Sequence, residues 1–121
     1  MHKEIIKCDS NASITEVAKL IKDHEVRHVY VLENGKLAGV VGGIDINNKV
    51  VAEGKNCQDI KAKDIMNKVE SVKEKEEIEH AYVIMRNYNT FICPVVNEDN
   101  ELLGYYKFAE VCEEIDNKIH R

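Results

Sequence analysis

The sequence has 121 residues, 44% hydrophobic and 32% charged; that balance suits one compact module and excludes both a disordered chain and a catalytic domain joined to a separate regulator. The formal charge is −5, from 17 basic and 22 acidic residues, with no Lys/Arg-rich block. Nucleic acid is therefore not the expected partner, although a small anion in a local basic pocket stays compatible with the sum.

Met1 to Lys7 does not resemble a secretion signal, and no apolar run approaches the length that spans a membrane. Cys8, Cys57, Cys93 and Cys112 lie tens of residues apart in apolar segments, without C-x-x-C spacing. The expectation is a cytoplasmic protein without membrane contact, whose cysteines are small core residues.

In chain order, a short strand is expected at Ile5 to Cys8, followed by an amphipathic helix with Ile14, Val17, Ala18 and Ile21 on one face. Ser13 and Glu16 have the S-x-x-E spacing of a capping box and mark its start. Two β-branched runs follow, "VRHVYVL" and "KLAGVV", joined by Asn34-Gly35, a pair suited to a type I′ hairpin turn because both residues tolerate positive φ. A second helix carries Ile46 and Val50.

Moving 64 residues along the chain repeats this order: a strand at Val69 to Val72, a stripe of Ile78, Ala81, Tyr82 and Met85, then Val95 for Val31 and Pro94 for Tyr30. One extra turn residue changes the offset to 65, so that Leu102, Gly104, Glu110 and Val111 match Leu37, Gly39, Asp45 and Ile46. The fold class is therefore mixed α/β (α+β): two βαββα repeats, residues 1–61 and 62–121, expected to pack sheet to sheet with pseudo-two-fold symmetry. Matched clefts where such units meet are natural places for a small ligand.

The segments "AKDIMNKVESV", "FICPVV", "LLGYY" and "DINNKVVAEGKNCQDIKAKDIM", in this order and duplicated, resemble a tandem CBS (cystathionine β-synthase) domain pair, or Bateman module, over nearly the whole chain from Ile5 to Ile119. The resemblance implies a regulatory or sensory module rather than an enzyme. It implies AMP, ADP, ATP or S-adenosylmethionine as a regulatory ligand between the repeats, no required cofactor, a homodimer, and a regulated protein partner elsewhere.

It also implies where binding resides. The strand ending in glycine runs into a motif whose aspartate accepts hydrogen bonds from both ribose hydroxyls, chemistry that suits the two oxygens of a carboxylate. Here the stretch reads Gly39, Val40, Val41, Gly42, Gly43, Ile44, Asp45; the acid is kept, but Gly42 stands where a hydroxyl residue is usual. A helix-capping role for Asp45 asks for the same residue at the same place. Arg27 and His28 stand where relatives place a basic pair facing phosphates, against the alternative of a solvated strand entrance. Gly42-Gly43 offers backbone amides to a phosphate, or simply a tight turn.

In the second copy Lys107 replaces the hydroxyl residue and Glu110 the aspartate: Lys107 toward a phosphate and Glu110 toward a ribose, or a charged first helical turn beside a filled pocket. Met66 and Pro94 occupy base-pocket positions of the family, or serve packing and strand geometry, and Tyr30, the repeat counterpart of Pro94, is a further candidate ligand contact. His24 and His28 flank a helix end with no third residue at metal-site spacing, and nothing converges as nucleophile and base. The competing reading is a ligand-free protein-interaction module that regulates a partner through dimerisation of CBS pairs.

Overall fold

Ser13 is extended (φ −69°, ψ 156°) and its Oγ accepts the Glu16 amide at 3.2 Å in a computed structural model that describes residues 1–120. That cap starts α1 (Ile14–His24), whose Ile14 and Val17 are fully buried, with Ala18 and Ile21 packed beside them. The helix stops at Glu25, left-handed at φ 52°, and its basic last turn (Lys22, His24) suits the helix dipole.

Three strands follow the order β1-β2-β3. The antiparallel hairpin of β2 (His28–Glu33) and β3 (Lys36–Gly42) turns at Asn34 (φ 52°) and Gly35 (φ 78°), the expected positive-φ pair. β1 (Lys7–Asp9) runs parallel to β2. It lies two residues later than the expected Ile5 to Cys8, because ladder pairing begins at Lys7 opposite Tyr30; Ile6 contributes only a carbonyl, which accepts the Tyr30 amide at 3.0 Å.

After β3 the chain enters α2 (Gly43–Ile46) and then widens into a π-type turn (Asn47–Val51), in which the Ala52 amide reaches back five residues to the Asn47 carbonyl at 2.8 Å. One element has no counterpart in the sequence reading: α3 (Ala62–Ile65), a single turn that Asp64 starts by accepting the Lys61 amide at 2.9 Å. Its neighbours fasten it to the first sheet's end, with the Ala62 amide on the Ala12 carbonyl (2.8 Å) and the Lys63 amide on that of Ser10 (3.0 Å). Val29, Val31, Val41, Val50 and Ala62, each fully buried, join Ile46 and Ile65 in this core, each valine worth roughly 1.5–3 kcal/mol.

The second sheet repeats the plan as β4-β5-β6. β4 (Val72–Lys73) is shorter and later than the expected Val69 to Val72, since only Val72 and Lys73 pair with β5. α4 (Ile78–Asn87), β5 (Ile92–Val96), β6 (Leu102–Lys107) and α5 (Phe108–Ile119) follow. Details recur 64 residues apart: Asn89 takes the left-handed conformation of Glu25, and the bulge at Val95/Val96 matches that at Val31/Leu32. The core here is Val72, Ala81, Met85, Cys93, Val95 and Val111.

The chain divides into two compact bodies, Ile5–Val69 and Met1–Glu4 with Glu70 onwards, called below the first and second units. In the first, Val40 and Asn67 form a two-way backbone bridge (3.0 and 2.9 Å); in the second, Tyr105 and His2 form its equivalent (2.9 Å both ways). No helix among the described residues is long and apolar enough to cross a membrane.

Candidate functional site

The centre of the first unit's polar site is Asp45, whose side chain is 13% exposed at the passage from β3 into α2. Gly42 is the N-cap residue of α2, and its amide donates to Asp45 Oδ2 at 2.8 Å, the returning half of a capping box. The other oxygen, Oδ1, accepts the Asn67 side-chain amide at 2.8 Å and lies 3.5 Å from Lys49 Nζ. Lys49 in turn donates to Asn67 Oδ1 (2.8 Å) and to the Ile65 carbonyl (2.9 Å). The Asn67 amide is thereby oriented, with its nitrogen toward the carboxylate and its oxygen toward the ammonium; the flipped amide would oppose both charges.

Burial raises the Asp45 pKa, but the Gly42 amide, the Asn67 amide and the Lys49 ammonium outweigh it and hold the carboxyl below its ordinary 3.8. Asp45 is thus an anion at neutral pH, largely withdrawn from water and aimed by fixed donors. The capping role and a ligand role do not exclude each other: Oδ2 serves the cap, while Oδ1 faces partners that belong to side chains.

The other expected residues of this unit gather at the same end of the sheet. His28 pairs with Gly42 across the hairpin, and the Gly43 amide bonds to the Arg27 carbonyl at 3.4 Å. Arg27, His28, Gly43 and Ile44 are exposed, Ile44 to 71%. Tyr30 lies opposite Val40 and is buried, and Met66 packs over Gly39, where a methyl group would stand 2.7 Å from the methionine sulfur.

Glu110, Lys107 and Pro94 lie in the second unit. Pro94 is buried opposite Tyr105, and Lys107 is the exposed N-cap residue of α5. Glu110 is 56% exposed and meets His2, whose Nε2 is 2.8 and 3.0 Å from the two carboxylate oxygens. The His2 ring stacks on Tyr105, with centroids 5.0 Å apart. Where Arg27 and Gly43 stand in the first unit, Phe91 and Phe108 stand here, meeting edge to face and lining an open hollow with Met85, Arg86, Asn89 and Thr90.

Residues 1–51 and 62–117 match the CBS domain family. The chain belongs to that family. The CBS domain pair of protein MJ0100, solved in complex with 5′-methylthioadenosine and S-adenosyl-L-methionine, is 30% identical and superposes with a TM-score of 0.72 over 93% of this chain and 92% of that one. The CBS domain protein PAE2072 from Pyrobaculum aerophilum, complexed with AMP, shares the fold at 24% identity, with a TM-score of 0.78 over 93% and 86% of the two chains. In sequence, the L-aspartate semialdehyde sulfurtransferase of Methanocaldococcus jannaschii is 29% identical over 86% of this chain, which spans only 20% of that relative's length.

Two residues of the CBS pair's polar sites escaped the sequence reading, Lys49 and Asn67, and a third, His2, is the counterpart of Asn67. The signal was present: Met1-His2-Lys3 and Met66-Asn67-Lys68 are the same pattern at the offset of 65. Cys93 is buried in the second unit's core and Cys8 and Cys57 pack against the first's, whereas Cys112, expected in a core, is half-buried and outside both. Burial pushes Cys93 up to about 12 and Cys8 up to about 11, so both stay protonated. Among the described residues no group of three or more His, Cys, Asp or Glu side chains is placed to hold a metal ion.

Proposed function

We propose that this CBS pair is a regulatory module that binds an adenosine-type ligand, and that Asp45 takes the ribose diol. The observation that carries the reading is the Asp45 carboxylate itself: ionised, 13% exposed, and held in place by a backbone amide. Support comes from chemistry shared by the two ligands of the 30% identical CBS pair. 5′-Methylthioadenosine and S-adenosylmethionine differ in the charge on sulfur and in the aminocarboxypropyl group, and share the base, the ribose diol and a methyl-bearing 5′ sulfur, so the diol is available for recognition in both. A fixed carboxylate suits two vicinal hydroxyls, since both can donate to it.

Arg27 and His28, at the same end of the sheet and exposed, are available to the phosphates of AMP, ADP or ATP; a neutral 5′ group would leave them solvated. The role is regulatory, with the ligand biasing how the module acts on a partner protein. A second reading, a ligand-free interaction module, draws on the fact that both Asp45 oxygens already have protein donors.

Calorimetric titration with 5′-methylthioadenosine, S-adenosylmethionine, AMP, ADP and ATP separates the two. We expect saturable binding of at least one, weakened in Asp45→Ala by on the order of 2–4 kcal/mol through loss of two charge-assisted hydrogen bonds. Flat traces for all five with folded protein transfer the case to the interaction module.

A further inference from the structure

The partners of the two repeat-related acids are themselves repeat-related. Asn67 lies 65 residues after His2, as Glu110 lies 65 after Asp45. Each is set in place by the same device, a two-way backbone bridge to the strand that leads to the acid: Asn67 with Val40, His2 with Tyr105. Each then turns a nitrogen onto the carboxylate, Asn67 Nδ2 on Asp45 Oδ1 at 2.8 Å and His2 Nε2 on both oxygens of Glu110 at 2.8 and 3.0 Å.

The contacts are too specific for solvated side chains that merely lie nearby. Asn67 is oriented by Lys49, which donates to its Oδ1, and the His2 ring is held flat on Tyr105. A carboxylate offers about four acceptor directions, but a vicinal diol approaching in the plane of the group needs one on each oxygen. At Asp45 the Gly42 amide leaves Oδ2 one such direction, whereas on Oδ1 the space is shared by Asn67 and Lys49. At Glu110 the imidazole already spans both oxygens.

We propose that Asn67 and His2 are matched internal competitors, each holding the acid of its own unit in the place of a ligand's hydroxyl pair, so that a diol enters only by displacing it. Asn67 thereby sets the affinity of the Asp45 site. His2, with two contacts and a stacked ring, keeps Glu110 closed, so that each chain takes one ligand. This inference rests on the adenosine reading above, and its test separates the two.

The probes are 5′-methylthioadenosine and its 2′-deoxy analogue, titrated calorimetrically into the full chain and into Asn67→Ala, Lys49→Met and His2→Ala. Removal of one competing hydrogen bond, worth about 1 kcal/mol, predicts about fivefold tighter binding of 5′-methylthioadenosine to Asn67→Ala. The gain should be absent for the 2′-deoxy analogue, whose single hydroxyl has the open direction on Oδ2. Lys49→Met should give a smaller gain of the same sign, and His2→Ala should add a second binding event. Weaker binding to Asn67→Ala, or an equal gain for the deoxy analogue, overturns the competition.

A ligand-free measurement keeps the outcomes apart. In an NMR titration the Asn67 side-chain amide resonance should follow the protonation of Asp45, and an amide that ignores it removes the contact altogether. Should the amide follow while no protein binds either nucleoside, the competition falls and the bond is a structural one, whereas the ligand reading falls only if S-adenosylmethionine, AMP, ADP and ATP also fail to bind.

Discussion

The two acids occupy the same step of the same repeat and live in opposite surroundings. Asp45 is 13% exposed, and one turn further along its helix stands Lys49; Glu110 is 56% exposed, and the residue one turn further along is Glu114. Duplication reproduced the scaffold down to the bulges and the left-handed helix ends, because backbone geometry is set by packing that both copies need. It did not reproduce the charge around the acid, since a surface position tolerates either sign. The first unit thus fixes its carboxylate as a shielded anion, whereas the second leaves its own half-exposed with a histidine set against both oxygens.

The sharpest way to break this comparison is through the glycines beneath the two bridges. A methyl group at Gly104 would overlap the His2 carbonyl oxygen, and one at Gly39 would stand 2.7 Å from Met66 Sδ and 2.8 Å from the Asn67 carbonyl oxygen. Gly104→Ala and Gly39→Ala are each expected to cost about 1–3 kcal/mol in denaturant unfolding. Amide exchange should be faster at Tyr105 in the first variant and at Val40 in the second. Unchanged protection would mean that the bridges do not hold in solution.

A smaller effect sharpens the contrast between the acids themselves. Asp45→Ala leaves the buried Gly42 amide without its acceptor and should destabilise the ligand-free protein by about 1–2 kcal/mol, whereas Glu110→Ala should stay within about 0.5 kcal/mol. The sign of the pH dependence follows from the lowered Asp45 pKa. Its contribution is present above the unfolded value near 3.8 and is lost as pH falls through the lower folded value. Thermal unfolding of wild type and Asp45→Ala between pH 2 and 6 should therefore converge at the acid end; parallel curves would mean that the carboxylate is not selectively stabilised in the fold.

The smallest expected change is at Lys49. Lys49→Met removes one favourable charge from Asp45, whose titration, followed by carboxyl-carbon NMR, should move up toward 3.8 with little change in melting temperature. A pKa that does not move assigns the lowering to the two amides alone.

Much of this was legible from residue order. The stripes Ile14/Val17/Ala18/Ile21 and Ile78/Ala81/Tyr82/Met85 pack as helix faces, and Asn34-Gly35 forms the expected turn, because periodicity and turn chemistry are local. Asp45, with Gly42 and Gly43, lies at the strand-to-helix junction where the repeat pattern placed it. The donors to its carboxylate were harder to see. Asn67 meets Asp45 across 22 residues and His2 meets Glu110 across 108, and no helical or strand period connects positions so far apart. The single turn α3 was missed for a related reason: four residues are too few to show a period, and its cap, Asp64 on Lys61, becomes visible only once the backbone is known.

The bridges also bear on how the chain is divided for experiment. A fragment cut at the sequence repeat, residues 1–61, would carry β3 with the Val40 amide and carbonyl bare, an open edge ready to recruit another chain. Extending the cut to Val69 keeps that edge sealed by the chain's own Asn67. The piece to express as a half-protein is therefore the one drawn by hydrogen bonds rather than by the period of the sequence.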